Sequence, residues 1–250
     1  MPSSSLITLL TDFGLSDSYV AEVKGVLLSR APPPGVTLVD ITHQISPGDV
    51  RAGQYLLARA WSRFPKGTVH LAIVDPGVGT SRRAVAATAG GHLFVAPDNG
   101  LLSFLPSPRF VSLAIPADAA PTFHGRDVFA PAAAALASGT RLEELGTPIT
   151  DAYHSPLPTP HHDGTAVMGE VLYVDRFGTL ISNIPGPDVE PGVRIRVAGT
   201  DVGALRRTFG DVERGTLVAL VGSGGTVEIA VRDGSAARLL GVGVAAEVRA

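Results

Sequence analysis

The chain has 250 residues, 45% of them hydrophobic, and a formal net charge of -3 at pH 7. This length can bury one large core or two smaller ones, and the scattered basic residues do not form the stripe that nucleic acid requires as a partner. The chain has no cysteine and no apolar run as long as a membrane span, which excludes disulfides and cysteine-ligated zinc and predicts a soluble, cytoplasmic protein without a membrane partner.

Strands and helices alternate in the first third of the sequence. Apolar, β-branched runs predict strands at 6–10, 36–42 and 68–75, and apolar residues at helical spacing predict helices within 16–30 and 46–64. This alternation predicts a parallel sheet. Ligands of such sheets bind at the carboxyl ends of the strands, where Asp12 and Asp75 lie.

The pattern changes after residue 83. Two apolar runs around Gly90-Gly91 predict a hairpin, and residues 109–115 predict a further strand. A helix is predicted from about Asp127 to Ser138. His124 and Gly125 lie just before its N-terminus, where free N–H groups suit an anionic or polar ligand.

A proline-rich stretch without hydrophobic period, 151–164, predicts a domain boundary. Short alternating strands divided by Gly and Pro follow it and predict an all-β barrel or sandwich. We therefore predict an α/β domain with a mainly parallel sheet at 1–153, a linker at 154–164 and a smaller, barrel-like β domain at 165–250. His161 and His162 predict no metal site, because adjacent side chains of an extended segment point apart and a third ligand is missing.

The stretch LAIVDPGVGTSRR, residues 71–83, places Asp75 at the end of a buried strand and Arg82 on the following loop. Its glycines lack the third member of a dinucleotide-binding fingerprint and favour a tight turn instead. Asp75 alone could simply cap that turn. Together with His124 at the same sheet edge, however, Asp75 and Arg82 could polarise a water molecule, with the imidazole transferring the proton and the guanidinium holding the charge.

Other candidate site residues could also have purely structural roles. Asp12 could accept hydrogen bonds from both hydroxyls of a ribose or could cap a helix. Asp175 and Phe177 could belong only to a hairpin, and Ser223 only to a glycine-rich turn. The tetrapeptide PDNG, 97–100, fits a turn so well that no chemistry is assigned to it.

Taken in chain order, TDFG, VDPGVGTSRR, APDNGLL, FHGRDVFAPAA, VDRFG with LISNI, and the closing GS-G-VEIAV and GSAA resemble the S-adenosyl-L-methionine hydroxide adenosyltransferase family. This family is similar to fluorinase and chlorinase, and the resemblance covers essentially the whole chain. It implies an N-terminal α/β domain, a C-terminal β-barrel and a homotrimer, with each active site between one subunit's N-terminal domain and its neighbour's C-terminal domain.

The resemblance also implies a reaction and its residues. Water or hydroxide attacks the ribose C5′ of the substrate S-adenosyl-L-methionine and displaces methionine to give adenosine, without a metal or other cofactor. The catalytic roles fall on Asp75, Arg82 and His124. The substrate-binding roles fall on Asp12 for the ribose, Asp175 for the methionine ammonium, Ser223 for its carboxylate, Phe177 near adenine, Thr179 where relatives commonly have Asn, and Gly125 where the fluorinase has Ser.

Two alternatives stay open. A halogenase would use chloride or fluoride, but a halide site does not need a general base such as Asp75, and Gly125 lacks the hydroxyl that the fluorinase offers to fluoride. A non-catalytic protein that only binds S-adenosyl-L-methionine or adenosine would tolerate loss of the Asp75, Arg82 and His124 set, all of which is present. Hydrolysis of S-adenosyl-L-methionine is the favoured function.

Overall fold

The computed structural model describes residues 5–30 and 35–250. The chain divides into two compact units, Met1–Pro156 and Leu157–Ala250. The division at 1–153, 154–164 and 165–250 stays a prediction, although the last residues of the predicted linker form a short strand, His161–Asp163. No helix among the described residues is long and apolar enough to cross a membrane.

Within its described residues, the first unit contains a seven-stranded sheet and four α-helices. In chain order its elements are β1 (Ser5–Thr11), α1 (Tyr19–Arg30), β2 (Val36–Thr42), α2 (Val50–Ala60), β3 (Val69–Ile73), β4 (Ala84–Ala89), β5 (His92–Pro97), β6 (Arg109–Leu113), α3 (Ala130–Ala137), α4 (Leu142–Leu145) and β7 (Gly146–Ile149). A π-helical turn, Gly125–Phe129, leads directly into α3.

The sheet is mixed, so the prediction of a mainly parallel sheet is confirmed only in part. Its order is β2-β1-β3-β5-β4-β6-β7. The pairs β2/β1, β1/β3 and β3/β5 are parallel, as the alternating pattern predicts, whereas β5/β4, β4/β6 and β6/β7 are antiparallel. The predicted hairpin at Gly90 and Gly91 makes β4 and β5 antiparallel, because two residues can join only antiparallel strands. Both glycines have positive φ, as tight hairpin turns require.

The core of this unit lies where β1 and β3 meet α1 and α3. Ile7 and Leu9 of β1 pack in one buried cluster with Leu27 of α1 and Phe129, the residue before α3. Gly53 allows α2 to approach β3 closely, because a Cβ atom there would lie 3.0 Å from a Val74 methyl group. This close approach positions Val74, the residue that follows β3 and immediately precedes Asp75.

The second unit is a nearly closed, barrel-like antiparallel sheet, which agrees with the predicted β domain. Its elements are β8 (His161–Asp163), β9 (Ala166–Val174), β10 (Leu180–Pro185), β11 (Arg194–Val197), β12 (Thr200–Ala204), β13 (Leu217–Val221), β14 (Thr226–Val231), α5 (Ala236–Leu240) and β15 (Glu247–Arg249). The strand order is β12-β11-β15-β9-β10-β14-β13, with β8 beside β9. A bridge between Arg206 and Leu220 draws the two outer strands together.

Two histidines of the first unit form a buried cluster at the sheet edge opposite Asp75. His70 Nδ1 lies 2.7 Å from Thr8 Oγ1, and His70 Nε2 lies 3.1 Å from His92 Nδ1. The His70 ring also stacks on Phe94 at 4.9 Å between ring centroids. Burial lowers the pKa of His70 to about 3, with a further contribution from His92, and burial likewise lowers the pKa of His92.

This cluster predicts acid destabilisation. His70 is neutral in the folded protein but protonates near pH 6.5 when unfolded, so its contribution is present above pH 6.5 and is lost as pH falls toward 3. We expect the free energy of unfolding to drop by about 3 kcal/mol between pH 7 and pH 4 from His70 alone. Urea unfolding at pH 7 and pH 4 should show a smaller drop in the free energy of unfolding for H70Q than for the wild type. H162Q, which replaces an exposed histidine, should show the same drop as the wild type. An equal drop in H70Q would contradict this assignment.

Candidate active site

The strands place three of the sequence-predicted residues at one edge of the sheet. Because β1 and β3 are parallel neighbours, Asp12 and Asp75, which follow them, lie at the same edge. β4 runs antiparallel to β5 and begins at that edge, two residues after Arg82. The convergence expected from the sequence is thus present in the fold.

Asp75, Arg82 and His124 contact one another through the guanidinium group. Arg82 Nε donates to Asp75 Oδ1 at 3.0 Å, and Nη2 donates to Asp75 Oδ2. The same Nη2 lies 3.2 Å from Nδ1 of His124. The side chains of Asp75 and Arg82 are only 6% and 7% exposed, so little solvent screens their attraction. The structure therefore brings together the three side chains that we predict to be catalytic.

The environment favours a basic carboxylate and a neutral imidazole. Burial raises the pKa of Asp75, against the opposing effect of the Arg82 charge and its hydrogen bonds. Burial, reinforced by the Arg82 charge, lowers the pKa of His124. Because a guanidinium can only donate, Nδ1 of His124 must accept in this contact, which assigns the neutral Nε2–H tautomer.

Two features hold His124 next to the loop that carries Asp75 and Arg82. Gly79 has a φ of +76°, and a Cβ atom there would lie 2.9 Å from the carbonyl oxygen of Pro121. Only glycine permits this backbone approach, so Gly79 serves a tight turn, as the sequence predicts. The Arg82 guanidinium also lies 5.3 Å from the centroid of the buried Phe129 ring.

A small cavity of about 60 Å³ adjoins this cluster. Its walls come from the ends of β1 and β3, the loop after β3 and the segment before α3. They comprise Asp12, Phe13, Ile73, Asp75, Val78, Thr122, Phe123, His124 and Gly125. Asp12 is half-buried, and its Oδ2 accepts a hydrogen bond from the Gly48 backbone N–H at 2.7 Å, which fixes the carboxylate.

Two phenylalanines that were not predicted from the sequence as site residues, Phe13 and Phe123, form aromatic walls of this cavity. The rings of Phe13 and Phe123 meet edge to face at 5.9 Å. A Cβ atom at Gly125 would lie 3.1 Å from Phe13 and 3.2 Å from Phe123, so glycine leaves room for both rings. The sequence did contain a signal for these two rings, because Phe13 directly follows Asp12 and Phe123 directly precedes His124.

Comparison with known proteins decides the family. Models of the SAM hydroxide adenosyltransferase N-terminal and C-terminal domains match residues 7–146 and 169–249. The chain belongs to this family. It is 45% identical to an (R)-S-adenosyl-L-methionine hydrolase from Thermus thermophilus, over 94% of this chain and 95% of the relative.

Two further relatives extend this placement. A fluorinase from an Actinoplanes species is 32% identical over 76% of each chain. A crystal structure of a conserved protein from Thermotoga maritima superposes with a TM-score of 0.89 at 36% identity, covering 97% of this chain and 98% of that one. The hydroxide adenosyltransferase fold thus extends over both units.

The C-terminal residues expected to bind substrate in this family lie in two turns of the second unit. Asp175 Oδ1 accepts hydrogen bonds from the backbone N–H groups of Phe177 and Thr179, both at 2.9 Å, which builds the turn between β9 and β10. Phe177 is 72% exposed and Thr179 is buried. The Phe177 ring is therefore accessible on a turn that two side-chain hydrogen bonds shape.

Ser223 is exposed in the turn between β13 and β14. Since β10 and β14 are antiparallel, with Leu180 opposite Ile229 and Pro185 opposite Thr226, this turn and the Asp175 turn flank opposite ends of the strand pair. The expected contacts of Asp175 and Ser223 therefore rest on separate turns of this adenosyltransferase domain and need separate tests.

Within residues 5–30 and 35–250, the structure contains no group of three or more His, Cys, Asp or Glu side chains arranged to hold a metal ion. The acidic and imidazole groups of the family's expected site instead engage an arginine. The positively charged group that Asp75 contacts is the guanidinium of Arg82.

Proposed function

We propose that this chain hydrolyses S-adenosyl-L-methionine to adenosine and L-methionine. The observation that carries the proposal is the buried contact among Asp75, Arg82 and His124 beside a cavity that Asp12 also lines. The names of the family's hydrolase relatives give the substrate and the reaction.

The proposed chemistry is an SN2 displacement. A water oxygen bonds to the ribose C5′, the C5′–S bond breaks with its electron pair going to sulfur, and the water proton passes to a protein base. The sulfonium leaves as a neutral thioether, so sulfur needs neither an acid nor a metal. The protein has to align oxygen, carbon and sulfur and remove bulk water, effects worth about 7 to 11 kcal/mol in favourable cases.

Asp75 is the base in this proposal, which replaces the sequence-based assignment of proton transfer to His124. Its raised pKa makes the carboxylate a better proton acceptor, and a carboxylate that binds one arginine retains lone pairs for a water molecule. His124 already accepts from Arg82 at Nδ1 and carries its proton on Nε2, so it serves as a neutral hydrogen-bond donor. Arg82 contacts both side chains and holds them in position relative to each other.

The substrate-binding roles follow the family pattern. Asp12 would accept hydrogen bonds from the two ribose hydroxyls, and Gly125 would leave space beside C5′. Phe177 would stack on adenine, near the Thr179 backbone, while Asp175 and Ser223 would bind the ammonium and carboxylate of methionine. The exposure of Phe177 and Ser223 supports these roles, because side chains that bind substrate must be reachable.

A homotrimer in the cytoplasm, with each site completed by a neighbouring subunit, is the assembly that we propose. The resemblance to the hydroxide adenosyltransferase family supports this assembly. Light scattering tests the assembly. A solution mass equal to the 25.7 kDa chain would contradict it.

The relatives' names specify the R form of the sulfonium, so we expect this epimer to be the preferred substrate. Turnover of each separated epimer in oxygen-18 water, followed by mass spectrometry, tests reaction and preference together. The expected products are adenosine with one oxygen-18 atom and unlabelled methionine, formed faster from the R epimer.

The same assay in chloride or fluoride buffer tests the halogenase alternative. The similarity of this chain to a fluorinase is the reason for that test. A 5′-halogenated adenosine would support that alternative over hydrolysis. Tight binding of either epimer without any product would support the non-catalytic alternative instead.

A further inference from the structure

The Asp75–Arg82 pair joins two strands that are not neighbours. In the order β3-β5-β4, strand β5 lies between the strand that leads to Asp75 and the strand that follows Arg82. The turn after β5, residues 98–100, therefore emerges directly between the two ends. We propose that this turn, through Asn99 and Asp98, positions Asp75 and Arg82 for catalysis, an inference that rests on the proposed function.

Asn99 holds the backbone immediately before Asp75. Its Nδ2 donates to the Val74 carbonyl oxygen at 2.8 Å. The paired residues of β3 and β5 end at Leu71 and Val95. Beyond these residues, the side-chain bond from Asn99 connects the two segments in place of backbone pairing. Oδ1 of Asn99 accepts from the Leu101 N–H at 3.3 Å, which sets the side-chain orientation. An aspartate could supply the second bond but, when ionised, not the first.

Asp98 holds the other end of the pair. Its backbone N–H donates to the Arg83 carbonyl oxygen at 2.9 Å, and Nη1 of Arg82 donates to the same oxygen at 3.1 Å. The Asp98 carboxylate, only 6% exposed, accepts from Arg83 Nε at 2.8 Å. The guanidinium that touches Asp75 is thus anchored on a carbonyl that this turn itself fixes.

The loop between Asp75 and Arg82 has chiefly local bonds of its own. The Thr80 hydroxyl donates to the Gly77 carbonyl oxygen at 2.7 Å, and the Thr80 N–H donates to the same oxygen at 3.2 Å. These bonds shape the loop but do not tie its two ends to the sheet. The turn after β5 does so, and a displacement of about 1 Å at a reacting group can cost about 100-fold in rate.

The first test separates kcat from KM. N99A should lower kcat for S-adenosyl-L-methionine hydrolysis by about 10- to 100-fold and leave KM within about 3-fold, because Asn99 is not among the proposed substrate contacts. D151A is the matched control, since Asp151 also binds Arg83, at 2.8 Å, but is 76% exposed and does not touch the pair. D151A should retain the wild-type kcat. Unchanged kcat in folded N99A would overturn the proposal.

The second test uses pH and a variant of the same size. N99D keeps the acceptor for Leu101, and only its protonated form can donate to Val74. The ratio of N99D to wild-type kcat should therefore rise as pH is lowered from 7 to 5. A flat ratio would contradict the positioning role even if N99A proved unstable. A wild-type protein without turnover would instead defeat the proposed function, so the two failures are distinguishable.

Discussion

Replacing Asp75 with asparagine should lower kcat for S-adenosyl-L-methionine hydrolysis by about 100- to 10,000-fold, the range associated with loss of a general base. The amide has the same shape but no charge, and it cannot take the water proton at neutral pH. KM should change by less than about 3-fold, because Asp75 acts on the nucleophile rather than on the substrate. Steady-state kinetics with the preferred epimer provide the measurement.

Acid pH should reproduce part of this loss in the wild type. In the proposed mechanism Asp75 acts as the carboxylate. We therefore expect kcat to fall as pH drops toward the pKa of Asp75, which burial raises above the ordinary 3.8 of an aspartic acid. The lowered pKa of His124 keeps the imidazole neutral at neutral pH. Residual activity of D75N should lack the acid limb that Asp75 causes.

A matched control separates catalysis from stability. Asp75 is buried against Arg82, and an unpaired buried charge can cost about 3 to 5 kcal/mol, so the unfolding midpoint of D75N must be measured alongside its rate. D201N removes the carboxylate of another Asp–Arg pair, in which Arg194 Nε lies 2.9 Å from Asp201 Oδ2 on an exposed hairpin of the second unit. D201N should keep full activity. A D75N enzyme as active as D201N would remove Asp75 from the mechanism.

Changing Asp12 to alanine should lower kcat/KM by about 100- to 10,000-fold, through a higher KM together with a lower kcat. Two charge-assisted hydrogen bonds to the ribose hydroxyls would be lost, each worth about 1.5 to 3 kcal/mol. The ribose also fixes C5′ against the attacking water, so both binding and alignment should suffer.

A substrate analogue isolates this contact. With 2′-deoxy S-adenosyl-L-methionine, the difference between D12A and the wild type should shrink, because one hydroxyl partner is already missing. D12N keeps an oxygen for the Gly48 N–H, and so controls for damage to the loop. If D12A loses equal activity toward both substrates and D12N is normal, Asp12 supports the loop and does not bind ribose.

The three strands β1, β2 and β3 and the hairpin at Gly90-Gly91 could be predicted from the sequence because their signals are local. Apolar runs and glycine turns act over a few residues, and parallel pairing of β1 with its neighbours follows from the intervening helices. The balance of parallel and antiparallel pairs could not be predicted in this way. It depends on where β4 to β7 attach, which is a choice among distant partners.

The candidate site, too, could be predicted from the sequence only in part. Its charged residues were visible as strand-end carboxylates and a nearby arginine. The aromatic walls at Phe13 and Phe123 were not, since phenylalanine in a sequence looks the same whether it fills a core or lines a cavity. Nor was the histidine tautomer, which is set by the 3.2 Å contact between Arg82 and His124.

By itself the sequence determined the order of strands and helices, the presence of a β-rich second half and the placement of Asp12 and Asp75 after strands. Only the tertiary structure decided that β5 inserts between β3 and β4 and that Asn99 reaches the Val74 carbonyl, 25 positions away along the chain. The physical reason is that secondary structure follows from neighbouring residues, whereas strand insertion and side-chain hydrogen bonds follow from packing the whole sheet. A turn that looked purely structural in the sequence therefore lies beside Asp75 and Arg82, the pair that we propose to be catalytic.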